Sequence, residues 1–401
     1  MSPPQVPSFD RTLYRTQYKV GPLLEQGFRY AFYALSLLDN MIDTEKREVK
    51  SDLPLLIRAE LQQAANQVFE GFQNALRMPW SLEEFEEAYA ECGDNEEELV
   101  RRCPPPQDLH DTPNNHATSH YTPTFFVDKN DRLLFAYVPA MLRESRWQNL
   151  LQATTPIFNQ ASREHSKFIR HSSHSVKART FGLQPGVLIL YPGIITSYKF
   201  PTVHYPEPAA AFKNPHIRPH VFELLDTIDP DTFGILCAVL AMIHPDRFHA
   251  AFEILEGLHN GTIWSGDKSL REEIMKRWGF PFTCVGFFSN LKHPYWERSD
   301  VLKNDLALYL SMGSTSLTSF TVPGLHRKFH FDPGTICVGF PHVFPVSWSS
   351  SEDGDQLTFV GSFMDLRFAT SRLVRNPRPM GTREYTAYVD YMIRNESPPL
   401  D

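Results

Sequence analysis

The chain of 401 residues is short of cysteine and of glycine, and it lacks any long apolar run. Its cysteines, Cys92, Cys103, Cys237, Cys284 and Cys337, are an odd number, lie far apart and include no CxxC pair. That argues against a disulfide framework or a zinc ribbon and for a reducing compartment. Glycine (20) is outnumbered by proline (32), which implies many stiff connections. No stretch approaches the length of a membrane span. The opening MSPPQVPSFDRTLYRTQYKV has no apolar core of a secretory signal. The expectation is a soluble intracellular protein, cytoplasmic or nuclear. A net charge of −8 argues against a uniformly basic binder of nucleic acid or of a membrane surface, and leaves room for one local basic patch. GxSxG, GxxxxGK[ST] and a Rossmann GxGxxG are all missing, so hydrolase, NTPase and dinucleotide readings have no motif.

What is present is core material: 30 Phe, 15 Tyr and 42% hydrophobic residues exclude a disordered chain. Residues 1–20 read as a loose Pro-rich segment. GPLLEQGFRYAFYALSLLDNMID is apolar on both faces and predicts a deeply buried helix. PLLIRAELQQAANQVFEGFQNALRM continues helical spacing, with Ser51-Asp52 as its cap, and Ser81 with Glu84 forms a capping box before the third helix. Residues 21–102 are therefore a helical layer, and 103–401 hold the rest. FFVDKNDRLLFAYVP predicts a hairpin turning at Asp128–Asp131, SRWQNLLQATTPIFNQA a helix, GVLILYPG a strand, and Thr202–Pro219 a Pro-rich traverse. A helical pair, PDTFGILCAVLAMIHPDRFHAAFEILEGLH, precedes β-rich runs such as LALYLSMG, RKFHFDPGTICVGF and DQLTFVGSFM. Helices followed by antiparallel strands mean an α+β protein with a sandwich or barrel core.

Four constellations carry candidate chemistry. In His330-Phe331-Asp332, alternation along a strand can aim imidazole and carboxylate at one metal, with His342 as the third group. The competing view is an edge-strand histidine and a turn-forming aspartate before Pro333-Gly334, and spacing alone favours it. His293 and Glu297 would share a helix face, but Pro294 argues for a loop. His110, Asp111, His116 and His120 match no structural-zinc spacing and read as a polar loop. The basic stretch 163–179 (Arg163, Lys167, Arg170, Lys177 and Arg179) can meet phosphates or be solvated. Phe168 is its one aromatic, too few for single-strand stacking.

AVLAMIHPDRF, VGFFSNL, TVPGLHRKFHFDPGTICVGF and DGDQLTFVGSFM together resemble a fungal family of TET/JBP-like 2-oxoglutarate/Fe(II) dioxygenases. The anchors are Ser289-Asn290, Pro323-Gly324-Leu325, Pro333-Gly334-Thr335 and Gly354-Asp355, and the resemblance covers about a third of the chain, from about 235 to 373. It implies a double-stranded β-helix (jelly-roll) core with a helical N-terminal layer. Active relatives carry His-x-Asp shortly after Ser-Asn, a distal His after the Pro-Gly-Thr strand, and an Arg for 2-oxoglutarate beyond. Counted without gaps, those positions fall here on Trp296 and Arg298, on Val346, and on Gln356. Tryptophan and valine offer no lone pair to iron, and arginine is a permanent cation.

The leading expectation is therefore a divergent member of the fold without the iron site, needing no cofactor. It acts as a ligand-binding, structural or repurposed protein. Arg298 would anchor a small anionic group and Trp296 would stack on a planar ligand, with Val346 and Gln356 beside them. The alternative is an active Fe(II)/2-oxoglutarate enzyme, oxidising a nucleobase or small organic substrate through His330, Asp332 and His342. The third is a self-associating scaffold with an exposed apolar patch.

Overall fold

The computed structural model describes residues 18–42, 49, 51–92, 95–106, 121–164, 183, 185–193, 207–262, 267–290, 306–313, 318–325, 327–341, 344, 346–349 and 355–363. The helical layer opens with α1 (Pro22–Ile42) and α2 (Leu55–Gln73), followed by the two-residue strand β1 (Leu76–Arg77), α3 (Leu82–Cys92) and α4 (Glu96–Arg102). The capping box holds: the Ser81 N–H donates to Glu84 Oε2 at 2.8 Å, and the Glu84 N–H donates to Ser81 Oγ at 3.3 Å. The Ser51-Asp52 cap does not form. Pro54 precedes α2 without a side-chain cap, Ser51 Oγ accepts the Leu53 N–H, and Asp52 pairs with Arg29. The tail expected to prolong α2 becomes β1, which pairs parallel with the next strand.

The hairpin forms as β2 (Thr124–Val127) and β3 (Leu133–Val138). Asp128, fully buried at its turn, accepts N–H donors from Leu82, Asn130 and Arg132, so one carboxylate ties the hairpin to α3. The chain continues through α5 (Glu144–Glu164), β4 (Gly186–Leu190), α6 (Ala210–Lys213), α7 (Arg218–Thr227), α8 (Pro230–Ile243), α9 (Pro245–Asn260) and α10 (Lys268–Arg277). The Pro-rich traverse thus contains α6 and the first turn of α7. Then come β5 (Cys284–Ser289), β6 (Ala307–Gly313), β7 (Ser319–Val322), β8 (Arg327–His330), β9 (Ile336–Gly339), β10 (Ser347–Ser349) and β11 (Gln356–Ser362). β10, within HVFPVSW, had no strand signature because Pro345 interrupts the alternation.

The strands form two sheets. The large one has the order β1-β2-β3-β9-β6-β11-β5-β4, and the small one β10-β7-β8. Apart from the β1–β2 pair, every pairing is antiparallel. The α+β class follows directly from these elements. Helix α8 is buried on every face from Thr232 to Ile243, which its continuous apolar sequence demands. It packs against α1 through reciprocal small residues: Gly27 against Cys237, and Gly234 against the ring of Tyr30. One core lies between these helices and the large sheet, and includes Phe125, Leu188, Phe287, Leu310 and Phe359. A second lies between the two sheets, where Tyr309 meets Phe320 and Trp348, and Phe329 meets Tyr137.

The helical layer carries one buried ionic node. Arg146 on α5 donates to both Glu60 oxygens on α2, each at 3.3 Å, and also to Asp229 and to Asp231 at the start of α8. Both Arg146 and Glu60 are buried. Removing the cation leaves a carboxylate buried beside two others, a change that costs about 3–5 kcal/mol. Arg146→Met should lower the urea-unfolding free energy by about that amount. A loss within error of zero would show that the node contributes nothing to stability.

The histidines of the α8–α9 hairpin give a second expectation. His249 is buried among Phe28, Phe248 and Phe252 and hydrogen-bonded to Tyr18 Oη at 3.0 Å. Burial pushes its pKa down to about 4. The unfolded chain therefore takes up this proton first as pH falls, so the stability from neutral His249 is present above about pH 6.5 and is lost toward pH 4. Asp246, raised to about 6 by burial, works in the opposite sense. Denaturant unfolding should show His249 alone withdrawing about 3 kcal/mol between pH 7 and pH 4. His249→Gln should reduce that slope, to which His244, also lowered by burial, contributes in the same sense; an unchanged slope would contradict the assignment.

Candidate functional site

Strand β11 runs through the middle of the large sheet, paired with β5 on one side and β6 on the other. Its sequence QLTFVGS alternates: Leu357 and Phe359 enter the core under the helices, while Val360 enters the core between the sheets. Gln356, Thr358 and Ser362 share the Val360 face and so line the inter-sheet space. All three are buried, and neither the Gln356 amide atoms nor the Thr358 and Ser362 hydroxyls have a hydrogen-bond partner. Tyr309, opposite Val360 on β6, adds a buried phenolic oxygen without a partner, and burial raises its pKa well above the usual tyrosine range. Phe288, opposite Thr358, and Trp348 from the small sheet form an edge-to-face pair beside this row.

The end of the row at Gln356 is held by Asn290. Its Oδ1 accepts the Gln356 N–H at 2.8 Å, its own N–H donates to the Gln356 carbonyl at 2.8 Å, and its Nδ2 donates to Leu183 O and Asp355 Oδ1. Asn290 adopts φ +48, a left-handed conformation that asparagine tolerates. Gly313 lies opposite Gln356 at φ +133, where a Cβ would collide with the Asp355 carbonyl. Two of the sequence anchors, Ser289-Asn290 and Gly354-Asp355, thus meet at one point through Asn290 and Asp355. A third, Pro333-Gly334-Thr335, is a turn bonded to β6: Gly334 N–H to Ser311 O, and Ser311 N–H to Thr335 O.

The other candidates scatter. His330 alternates with Phe329, whose ring faces Tyr137 between the sheets, so the imidazole lies on the outer side, stacked on Tyr121 at 4.5 Å. Asp332 follows the strand. One of its oxygens is buried without a partner, and burial raises its pKa. Val346 is buried in the inter-sheet core next to β10, whose register sets it beside Val322, at the end of the small sheet that holds Arg327. Gln356 lies toward the opposite end, where Ser311 Oγ donates to Phe331 O at 2.6 Å. Val346 and Gln356 are therefore not neighbours. Trp296 and Arg298, His293 and Glu297, His342, the loop histidines with Asp111, and the stretch 165–179 lie outside the described residues. Large exposed apolar side chains include Phe32 and Ile42 on α1 and Leu55 and Leu56 on α2.

Two features were missed in the sequence. Arg327 shares the inner face with Phe329, and burial lowers its pKa. The alternation Arg327, Phe329, Phe331 was the available signal. The pattern Gln356-x-Thr358-x-Val360-x-Ser362 was the other. As donors toward iron the described residues of this interior fit poorly: they offer a carboxamide, hydroxyls and a phenol, not imidazole beside carboxylate. Among the described residues no three His, Cys, Asp or Glu side chains gather to hold a metal ion.

Asn290→Ala removes the three side-chain hydrogen bonds and leaves buried partners unmet, at about 1–3 kcal/mol for each orphaned group. Denaturant unfolding should show a loss of several kcal/mol, whereas a surface-like effect under about 0.5 kcal/mol would mean that Asn290 does not hold the strand.

No family model matches the chain, and no curated protein does. Among solved structures, one of NgTET1 in complex with 5mC DNA superposes on 68% of this chain and 86% of that chain, with a TM-score of 0.42 and 10% sequence identity.

Proposed function

We propose that the chain is a divergent TET/JBP-like protein that keeps the double-stranded β-helix and has given up its Fe(II)/2-oxoglutarate chemistry, and that it binds a small ligand between its sheets. The strand order supports the fold: β5-β11-β6-β9 face β10-β7-β8, with helices packed on the outer side of the large sheet. In this reading Trp296 and Arg298 occupy the former His-x-Asp positions as a stacking surface and an anchor, and Gln356 occupies that of the 2-oxoglutarate arginine.

The observation that carries the proposal is the row Gln356, Thr358, Ser362 and Tyr309, buried and without partners. Each such group left unsatisfied costs about 1–3 kcal/mol, and the sum rivals the whole stability of a typical domain, about 5–15 kcal/mol. A row of this kind in a protein interior calls for a ligand or for ordered water. No described helix is long and apolar enough to cross a membrane.

Anaerobic titration with Fe(II) and 2-oxoglutarate tests the vacated iron site. The expected result is no visible charge-transfer band and no thermal shift from the pair. Micromolar binding of both would overturn the proposal and restore the oxygenase alternative.

A further inference from the structure

We infer that the Gln356 end of the inter-sheet space recognises a neutral, planar carboxamide group and discriminates against carboxylates. The inference deepens the vacated-site proposal and rests on it.

The chemistry follows from what the unpaired atoms require. A carboxamide presents two N–H donors and an oxygen with two lone pairs, and Gln356 leaves both ends unmet. A carboxylate ligand only accepts, and an ammonium only donates, so either would satisfy half of Gln356 and leave the other half buried. An amide does both, and its coplanar C=O and N–H match those of Gln356 in a paired, two-bond contact. Thr358, two residues along the same face of β11, stands roughly 6–7 Å further on. Its hydroxyl both donates and accepts, so it can meet a second polar group of the same ligand.

Charge points the same way. The unpaired groups of the row are all neutral. A carboxylate placed against Gln356 would exchange water for neutral dipoles. Among the described residues the buried cation of this interior, Arg327, lies beyond Phe329 toward the other end of the small sheet. Phe288 and Trp348 supply flat apolar surface next to Thr358, which suits a planar group.

Glutaramide and glutarate separate charge from shape, since they share a carbon chain and differ in their end groups. Binding to the full-length chain at pH 7.5 would be followed by ligand-observed NMR titration, with 2-oxoglutarate plus Fe(II) as a third arm. Glutaramide should bind at least tenfold tighter than glutarate. Gln356→Leu should weaken glutaramide at least tenfold while the melting temperature stays level or rises, because an unpaired polar group has been removed. Gln356→Arg should reverse the preference toward glutarate. The inference is overturned if glutarate binds as well as glutaramide, if Gln356→Leu leaves glutaramide binding intact, or if neither compound saturates. The last result would assign the row to ordered water. If neither compound binds and iron with 2-oxoglutarate also fails to bind, only the amide assignment falls. Tight binding of iron and 2-oxoglutarate removes the vacated-site proposal itself.

Discussion

The constraint on which the rest depends is that β11 has no outside. Both of its edges are paired, Leu357 and Phe359 are sealed under the helices, and Val360 is sealed under the small sheet. A strand so enclosed is expected to be apolar throughout, as parallel-sheet strands covered on both faces are. Here alternate positions on one face are instead glutamine, threonine and serine. Polar residues in such a place are costly unless something meets them, and the backbone cannot do so because its own groups are used in the two ladders. The same enclosure that makes the strand a good structural centre makes its polar face a demand for a partner.

The helical layer makes that enclosure rigid. Helix α8 can be apolar all round only because α1, α2 and α9 cover it, and Gly27 and Gly234 let α1 approach it closely. Arg146 then pins α5 to α2 and to the start of α8. The hairpin β2–β3 is tied to α3 by Asp128 in the same manner, one buried acid serving several donors. Both devices tie helices to the elements around them. Just past β5, Asn290 does the equivalent work for the end of β5 and the strand that begins at Gln356. Polar side chains at these three places act as fasteners with every bond made, which is why the unmet row on β11 stands apart from them.

Much of this architecture was legible in the sequence. The long amphipathic and all-apolar helices, the capping box at Ser81, the hairpin and most strands of the large sheet follow from periodicity and turn chemistry. The failures share a cause. Leu76–Arg77 became a strand because β2 was available to pair with, and Ser347–Ser349 became one because β7 was; tertiary pairing overrode local pattern in both. Of the β11 row, Gln356 alone is singled out by the sequence, and only through a resemblance. His330-x-Asp332 drew attention because H-x-D is a ligand spacing, but alternation with Phe329 assigns His330 to the outer side. The unmet polar row was hidden because threonine and serine in a strand are ordinary on a solvated face, and no local feature tells that this face is covered.

The polarity of the interior bears on the proposed loss of iron chemistry. An iron oxygenase site must concentrate lone pairs of imidazole and carboxylate at one point and set a cation nearby for a dicarboxylate co-substrate. Among the described residues the inter-sheet space has a buried arginine, Arg327, at the end beside Val346, while Asp355, buried and bonded to Asn290, falls on the Leu357 face of β11. In the proposed reading, a neutral partner that both donates and accepts meets the β11 row without burying an uncompensated charge.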